Sequence, residues 1–454
     1  MTHLCSRRHF IHFGSSMFGS LALSALGGDA RGSAGGVLAE RDSHHTPRAK
    51  RVIFMFINGG PSQMDMLDYK PELNRRNGEV ARNKDSFLKG SAWKFRQHGE
   101  SGQWFSELLP HLAGQSDRMC VVRSMHTDTS AHPLAIPLLH TGSFQFTRPS
   151  MGSWILYGLG TENQDLPGFV TIDPTRTFGG PSNYGSAFLP STFQGTRFDG
   201  PPSMDGPPQR KHPAPEEVVA GSQRLAQVLN ESLLDRGQAV REVRGAIGSL
   251  GLSVRMQQVL PRVMNLSDES QEVLDLYGVG QDKTDNFGRQ CLFARRLVEA
   301  GVRFVQISHH GWDHHRNLLE LPERCRDTDQ PMAALLIDLE RRGLLEDTLV
   351  FWIGEFGRQP EAQVISGEIN NGRDHNSQGY TAWLAGGGIR PGLAYGATDE
   401  LGFEAVENKV HLYDLQATIL HQLGLDHTRL TYRFSGRDFR LTDVHGQVVH
   451  DILL

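Results

Sequence analysis

A glutamate follows directly after an unbroken apolar run in the segment LVFWIGEFGR, which spans residues 349–358. Because the run lacks the alternation of a half-exposed strand, it predicts a parallel strand that is buried on both faces. Glu355 would then lie at the carboxyl end of this strand, where open α/β sheets bind ligands. A turn with a solvated glutamate would also fit the segment alone. However, Asp374 and His375 precede a second apolar run, and the two segments together indicate a site lined by oxygen and nitrogen ligands.

Further acids and histidines follow other apolar runs of the chain. They form three groups: Ser62, Asp65 and Asp68; His126, Asp128 and His132; and His310, Asp313, His314 and His315. The carboxyl ends of parallel strands meet at one edge of a sheet, so we expect these groups to form one polar site. A single histidine is more often a structural residue, whereas several such groups at separate strand ends favour a shared function.

A divalent cation is the expected ligand of this site, because crowded carboxylates repel one another unless a cation neutralises them. Mixed imidazole and carboxylate ligands suit zinc, manganese or iron better than calcium. We expect zinc or manganese, and the number of ions is open. Such an ion could polarise a phosphoryl or sulfuryl oxygen, or supply hydroxide at neutral pH. Arg358 could hold an oxyanion through two hydrogen bonds, or could form only a surface ion pair.

The pattern of apolar residues predicts strands that alternate with helices, and therefore an α/β fold with a mostly parallel central sheet. The predicted strands cover residues 51–57, 119–122, 168–172, 302–307 and 349–353. The predicted helices cover residues 216–264, 287–300, 331–342 and 411–423. A stretch rich in Gly, Pro and Ser begins at residue 173. Together with the first of these helices, it predicts a loop-rich and helical insertion around residues 173–265.

The first 45 residues are predicted to be an export signal and a linker. Residues 6–10, Ser-Arg-Arg-His-Phe, form a twin-arginine pattern, and the mildly apolar stretch that follows is too short to span a bilayer. A disordered tail is the alternative. We therefore expect export by the twin-arginine route to the periplasm or the extracellular space, one domain over residues 46–454, and no stable membrane span.

The cysteines and the net charge exclude other classes of site and partner. The chain has 4 cysteines without a CxxC pair, which argues against a disulfide scaffold and against a zinc–thiolate site. Its formal net charge of -5 argues against nucleic acid as a partner.

Several longer motifs carry a resemblance to a known family. They are GGPSQMD (59–65), RPSMGSW (148–154), ARRLVEAGVRFVQIS (294–308), GWDHH (311–315), GEFGR (354–358), GRDH (372–375) and GRDFRLTDVHG (436–446). With these motifs, residues 50–454 resemble the exported family catalogued as domain of unknown function 1501, within the alkaline phosphatase/sulfatase superfamily. The resemblance implies an alkaline-phosphatase-like, three-layer α/β/α fold with metal ligands at the strand ends.

The resemblance also implies roles for individual residues. Asp313 and His315 look like the aspartate and histidine of one metal site, with a shorter spacing than is usual in the superfamily. His375 looks like the late histidine ligand. Glu355 replaces the aspartate of the superfamily's Asp-His-Gly motif, and Phe356 replaces its metal-binding histidine.

Two positions depart from the superfamily pattern. The first strand ends in Asn58 rather than in a metal-binding aspartate, so Asp65 substitutes for it or a second metal is missing. Counting back from the Thr-Gly pair at 141–142 places His132 where the superfamily has its nucleophile. A histidine could be a ligand or could accept a phosphoryl group, but it cannot become the formylglycine of a sulfatase. Thr129 or Ser130 could serve instead if the register slips.

The sequence therefore predicts an exported metal-dependent hydrolase of phosphate or sulfate esters, which acts on a small-molecule or glycan ester. The candidate catalytic residues are His132 and Arg358, and the candidate metal ligands are Asp65, Asp313, His315, Glu355 and His375. The alternative is a non-catalytic exported binding protein of the same fold that retains a metal or anion site. A metal-dependent phosphomutase or transferase shares the fold, but the export signal argues against it.

Overall fold

The computed structural model of the protein describes residues 38–82, 86–204, 252, 255–256, 259–365 and 368–454. Most of the predicted export signal and most of the predicted helix at 216–264 lie outside the described residues, and both stay predictions, as do the predicted domain boundaries. Residues 41–49 run along the domain surface. The backbone amide of Arg41 donates to the Leu159 carbonyl at 2.9 Å, and that of His44 to the Gly424 carbonyl at 2.8 Å.

A central sheet of nine strands organises the described part of the chain. Its strands are β1 (Arg51–Ile57), β2 (Met119–His126), β3 (Phe169–Ile172), β4 (Thr196–Phe198), β5 (Phe304–His309), β6 (Thr348–Ile353), β7 (Tyr380–Ala385), β8 (Leu393–Tyr395) and β9 (Val410–His411). Their order across the sheet is β8-β2-β7-β6-β1-β5-β3-β4, and β9 pairs with β2. Strand β1 therefore lies in the middle of the sheet, where its run of apolar residues is buried on both faces.

Strand direction is mixed but mostly parallel. The pairs of β1 with β5 and with β6 are parallel, as are those of β3 with β4 and with β5. Strand β7 alone among the paired strands of this sheet runs antiparallel, to β2 on one side and to β6 on the other. The carboxyl ends of β1, β2, β3, β5 and β6 therefore share one edge.

Five longer helices cover the two faces of the sheet. They are α1 (His132–Thr141), α2 (Met151–Leu159), α3 (Asp285–Glu299), α4 (Leu321–Arg341) and α5 (Leu412–Gln422); shorter helical segments lie at Gln63–Met66, Pro71–Arg75, Pro110–Ala113 and Gln271–Tyr277. One apolar core joins α3 and α4 to the sheet, and a second core joins α1, α2 and α5 to its other face. This arrangement confirms the predicted α/β class with three layers.

A smaller sheet lies beside the edge that the carboxyl ends of the parallel strands share. The strands Gly357–Ile365 and Glu368–Asn376 form an antiparallel pair, and Phe87–Leu88 extends it. Three two-stranded ribbons are also present, at Phe95–His98 with Gln103–Ser106, Ala397–Thr398 with Ala405–Glu407, and Tyr432–Phe434 with Arg437–Phe439. In the described part of the chain, no helix has the length and apolarity to cross a membrane.

Two elements differ from the expectations in extent. The helix predicted at 331–342 begins ten residues earlier, at Leu321, and Pro331 lies inside it. Proline usually marks the first turn of a helix, which is why the sequence placed the helix start there. The strand predicted at 119–122 continues to His126, because His126 and Met125 pair with β9. This pairing with β9 could not be predicted from the sequence around residues 119–126.

The second apolar core contains a buried histidine, His140, whose protonation depends on pH. His140, at the end of α1, donates from Nδ1 to the Ile136 carbonyl at 2.8 Å, and its Nε2 accepts from the Gln306 amide at 3.2 Å. The rings of Phe54 and Phe56 enclose it. Burial lowers the pKa of His140 to about 4, so the folded protein holds this imidazole neutral.

We predict that this histidine makes the fold sensitive to acid. Its pKa is 6.5 in the unfolded chain and about 4 in the folded protein, so below pH 6.5 the unfolded chain binds a proton that the folded protein excludes. The free energy of unfolding should therefore fall between pH 6.5 and pH 4, by an amount on the order of 3 kcal/mol from this group. Urea unfolding at several pH values measures the slope.

The variant His140→Gln should lose less stability over this pH range than the parent, because glutamine keeps a donor and an acceptor but binds no proton. His445→Gln, at an exposed histidine, is the matched control and should keep the parent's slope. Equal slopes for the parent and His140→Gln would contradict the assignment.

Candidate metal centre

Four side chains converge at the carboxyl edge of the sheet. Ligand atoms of His132, Asp313, His315 and His375 all lie within 4.8 Å of one another. His132 is the first residue of α1, in the segment that follows β2. Asp313 and His315 follow β5, and His375 lies near the end of the strand Glu368–Asn376. The edge shared by β2 and β5 thus brings together residues that are far apart in the sequence.

Asp313 lies at the middle of this cluster. Its Oδ1 atom is 2.9 Å from His315 Nε2 and 3.1 Å from His375 Nε2. These two imidazole nitrogens are 2.8 Å apart. His132 Nε2 faces the other carboxylate oxygen, Oδ2, at 3.3 Å. The tighter set is therefore Asp313, His315 and His375, with His132 beside it.

Oxygen atoms behind the imidazoles fix which nitrogen faces inward. His375 Nδ1 lies 2.7 Å from the Ser130 carbonyl oxygen, which can only accept, so Nδ1 carries the proton. His132 Nδ1 lies 2.6 Å from Glu355 Oε1. In both rings the Nε2 lone pair of the neutral form then points into the cluster, which is the arrangement of metal-bound histidines in proteins.

Two features show that these residues fit a cation. The lone pair of His375 faces His315 Nε2 at 2.8 Å, so a proton or a cation must lie between the two nitrogens. The buried Nε2 atom of His132 makes a long and poorly aligned contact with Asp313 Oδ2, at 3.3 Å, and a buried nitrogen without a well-formed bond costs free energy. Mixed imidazole and carboxylate donors suit zinc or manganese. Asp313, His315 and His375 would hold the ion, with His132 facing it.

The pKa values of Asp313 and His132 are shifted by the charged groups around them. Burial would raise the pKa of Asp313, but hydrogen bonds from His132, His315 and His375 and the charge of Arg358 outweigh it and hold the pKa well below its usual range. Burial would lower the pKa of His132, but hydrogen bonds to Asp313 and Glu355 raise it to about 9. The centre thus favours a positive species, either a proton on His132 or a cation.

Glu355 lies behind this centre. It is fully buried, and the backbone amide of Gly59 donates to its Oε1 at 3.0 Å and to its Oε2 at 3.2 Å. Its remaining contact is with His132 Nδ1. Glu355 therefore orients His132, and its role as a direct metal ligand stays a prediction that this geometry does not favour.

Arg358 is also buried and fully engaged, with a side-chain exposure of 1%. Its Nε donates to the Gly60 carbonyl at 2.7 Å and its Nη1 to the Arg373 carbonyl at 3.0 Å. Its Nη2 contacts the Gly59 carbonyl and donates to Asp313 Oδ1 at 2.6 Å. These bonds position Asp313 and leave the guanidinium no open side toward a substrate. The predicted clamp on an oxyanion therefore finds no support in this geometry.

Asp65 lies outside the cluster. Its carboxylate receives Arg373 Nε at 2.8 Å and Nη2 at 3.2 Å, and both side chains are 0% exposed. Ser62 donates to the same carboxylate at 2.5 Å. With these contacts Asp65 joins the smaller sheet to the edge of the central sheet, and its predicted role as a replacement metal ligand stays untested.

Two aromatic rings flank His132. The ring centre of Phe356 lies 4.8 Å from that of His132 and 4.4 Å from that of His375. Phe178 stacks on His132 at 5.7 Å with an angle of 6° between the planes. Sequence reasoning did not single out Phe178, because it lies in a Gly- and Pro-rich stretch where no periodicity points to a site.

A second polar group borders the centre at the ends of β1, β3 and β5. His310 Nδ1 accepts from the Asn58 amide at 3.1 Å, and His310 Nε2 donates to the Asp173 carbonyl at 2.9 Å. The sequence pointed to His310 and to Asn58 separately, but not to Asp173.

The model of the family described as "Protein of unknown function (DUF1501)" matches residues 49–453. No curated protein matches the sequence.

Several solved structures are similar to the chain. One is the lipoteichoic acid synthase LtaP from Listeria monocytogenes, at 10% identity and a TM-score of 0.36 over 88% of this chain and 76% of that chain. Another is a protein in the alkaline phosphatase superfamily from Vibrio parahaemolyticus, at 9% identity and a TM-score of 0.37 over 91% and 76%. The C-terminal periplasmic domain of EptC from Escherichia coli, in complex with Zn, matches at 8% identity and a TM-score of 0.33 over 93% and 99%. These similarities are too weak to assign an activity.

We predict that a divalent cation stabilises the protein through Asp313. At a free zinc or manganese concentration of a hundred times Kd, the free energy of unfolding should rise by about 2.7 kcal/mol, and chelator should reverse the gain. Calorimetric melting with and without metal measures it. Asp313→Asn should lose the gain. Asp128→Asn, at a half-exposed aspartate that pairs with His411, should keep it, and equal gains in both variants would contradict the site.

We further predict that Arg358→Lys lowers the free energy of unfolding by about 2–4 kcal/mol, because one ammonium group cannot replace a planar guanidinium that bonds in several directions. Urea unfolding measures the loss. Arg324→Lys, at a partly exposed arginine paired with Asp327, is the control and should change stability by less than about 0.5 kcal/mol. An Arg358→Lys variant as stable as the parent would show that these bonds are not needed.

Proposed function

The chain belongs to the DUF1501 family, and we propose that it is an exported, metal-dependent hydrolase of phosphate or sulfate esters. One observation carries the proposal: Asp313, His315 and His375 converge with their ligand atoms inward, and His132 faces them. Three protein ligands and an open side are typical of catalytic rather than structural metal sites. Export rests on the twin-arginine pattern at residues 6–10.

A bound divalent cation would polarise a phosphoryl or sulfuryl oxygen and lower the pKa of water. The protein's own residues have distinct tasks around it. Arg358 neutralises part of the charge of Asp313 through their 2.6 Å contact, so the centre keeps positive charge for an anionic ester. The attraction between the centre and an anionic ester is stronger beside the buried Arg358 than in water, because the local dielectric constant is lower there.

His132 is the proposed catalytic residue. Glu355 accepts the proton of His132 Nδ1, so in the neutral imidazole Nε2 could accept a proton from the attacking water, or a phosphoryl group from the ester as its alcohol leaves. A cation beside Asp313 would favour this neutral form. The arrangement of carboxylate, imidazole and reacting atom is that of a general base whose tautomer is fixed. Ser130 and Thr129 are weaker candidates, since the Ser130 carbonyl orients His375 and the Thr129 hydroxyl accepts from the Ala131 amide.

A non-catalytic binding protein is the second candidate, and Phe356 favours it. Its ring packs against His132 and His375, at the position where the resemblance implies a metal-binding histidine. A site reduced in this way could keep affinity for a cation and an anion without turnover. The test below separates the two candidates.

We predict that the zinc- or manganese-loaded protein hydrolyses aryl phosphates or sulfates, and that chelator abolishes turnover and added metal restores it. His132→Gln should lower kcat by about 10²–10⁴-fold, since it removes a proton acceptor, while metal affinity from titration calorimetry persists. His126→Gln is the matched control, because His126 packs against His411 and is not one of the four clustered residues.

A metal-loaded protein that binds phosphate but turns over none of a broad ester panel would favour the binding protein. A protein that binds neither metal nor phosphate would overturn both candidates.

A further inference from the structure

The segment after β3 holds an aspartate in an unusual backbone conformation. Asp173 has a φ of 50°, in the left-handed region that favours glycine. Its backbone is fixed on both sides, because its amide donates to the Phe198 carbonyl at 2.8 Å and its carbonyl accepts from His310 Nε2 at 2.9 Å. Because glycine would adopt this backbone conformation with less strain, we infer that the Asp173 side chain has a functional role.

The carboxylate of Asp173 is available for a ligand. Its side chain is 33% exposed, and His310 Nε2 lies 3.7 Å from one carboxylate oxygen. That imidazole nitrogen already donates to the Asp173 carbonyl. None of the described residues donates a hydrogen bond to the carboxylate itself, so its acceptor capacity faces solvent.

Phe178 belongs to the same segment and lies on the catalytic histidine. It is 40% exposed and stacks parallel to His132. The buried amide of Asn183 donates to its carbonyl at 3.0 Å, which anchors the backbone at the ring. The segment thus presents a fixed flat ring beside the metal centre.

Phe178 lies against His132 of the centre, and Asp173 is joined to the centre through His310 and the end of β1. Asn58, which binds His310, adjoins Gly59, and the Gly59 amide holds Glu355 behind His132. The backbone amide of Trp312, next to Asp313, donates to the Asn58 carbonyl at 3.2 Å. An ester whose anionic group lies at the centre would therefore have its alcohol part beside this segment.

We propose that Asp173 and Phe178 form a sugar subsite, so that the esters are phosphates or sulfates of a sugar. The inference rests on the proposed function. A sugar ring has an apolar C–H face that packs on an aromatic ring, and hydroxyl groups that donate to a carboxylate. An alkyl or aryl alcohol would bury the carboxylate without a partner, which costs affinity. An amino alcohol would need only the charge of Asp173, and one ring makes no cage for its cation.

The test compares esters that share one anionic group. Titration calorimetry on the metal-loaded His132→Gln variant, which should not consume the probe, measures the affinity for glucose 6-phosphate, phenyl phosphate, phosphoethanolamine and ethyl phosphate. Glucose 6-phosphate should bind at least tenfold more tightly than ethyl phosphate. On this background, Phe178→Ala and Asp173→Asn should each reduce that ratio by about fivefold or more and leave ethyl phosphate within twofold.

Asp173→Gly adds a readout that a purely structural role would not give. Its melting temperature should equal or exceed that of the parent, since glycine suits the conformation, while the preference for glucose 6-phosphate is lost. Asp443→Gly, at another aspartate with positive φ of 47° that pairs with Arg437, is the matched control and should keep the preference.

Several outcomes would overturn the subsite. They are equal affinity for glucose 6-phosphate and ethyl phosphate, tighter binding of phenyl phosphate or phosphoethanolamine than of the sugar ester, or equal losses for all probes in the Phe178 and Asp173 variants. If glucose 6-phosphate binds more tightly than the other esters but the parent protein hydrolyses none of them, the subsite is supported and the hydrolase proposal is contradicted. If the parent protein hydrolyses ethyl phosphate and glucose 6-phosphate with the same kcat/KM, the hydrolase proposal is supported and the subsite is contradicted.

Discussion

The contact between Arg358 and Asp313 is the constraint on which the centre depends. The guanidinium is buried and bonded to backbone carbonyls of two separate segments, Gly59 and Gly60 in one and Arg373 in the other. Its position is therefore fixed by the fold rather than by the site. Because its last donor meets Asp313 Oδ1 at 2.6 Å, the carboxylate is fixed as well, and the three imidazoles arrange themselves around it. A buried arginine without these acceptors would be costly.

The same contact sets the balance between protons and cations. Asp313 and Glu355 stabilise positive charge near His132 and raise its pKa to about 9, whereas Arg358 opposes any cation beside Asp313. The two carboxylates outweigh burial, which alone would lower the pKa of His132, because His132 contacts both of them. A cation held by Asp313, His315 and His375 would disfavour a proton on the neighbouring His132 Nε2, so metal binding would favour the neutral imidazole that the proposed chemistry needs.

Much of the centre could be predicted because it follows from the geometry of parallel strands. Asp313 and His315 follow β5, and the strand-end rule was enough to place them near residues after β2. His375 instead lies on an antiparallel strand of the smaller sheet. Its place before an apolar run indicated a site residue, and the resemblance implied its role as a metal ligand. The partner of Asp65 could not be predicted, since its ion pair with Arg373 depends on how two sheets pack. Phe178 and Asp173 were missed for a related reason: they act through a loop whose shape comes from contacts with His310 and Asn183.

The surroundings of Glu355 bear on whether a second cation could bind beside it. Glu355 would have to be a ligand of such a cation, but its two oxygens already accept from the Gly59 amide and from His132 Nδ1. A second ion there would have to displace both donors, and the displaced buried amide would keep no partner, which costs about 1–3 kcal/mol. The neighbouring Phe356 offers a ring in place of a nitrogen, and Asn58 spends its amide on His310. Among the described residues, Glu355, Phe356 and Asn58 are thus either apolar or already bonded, which argues against a second cation beside Glu355.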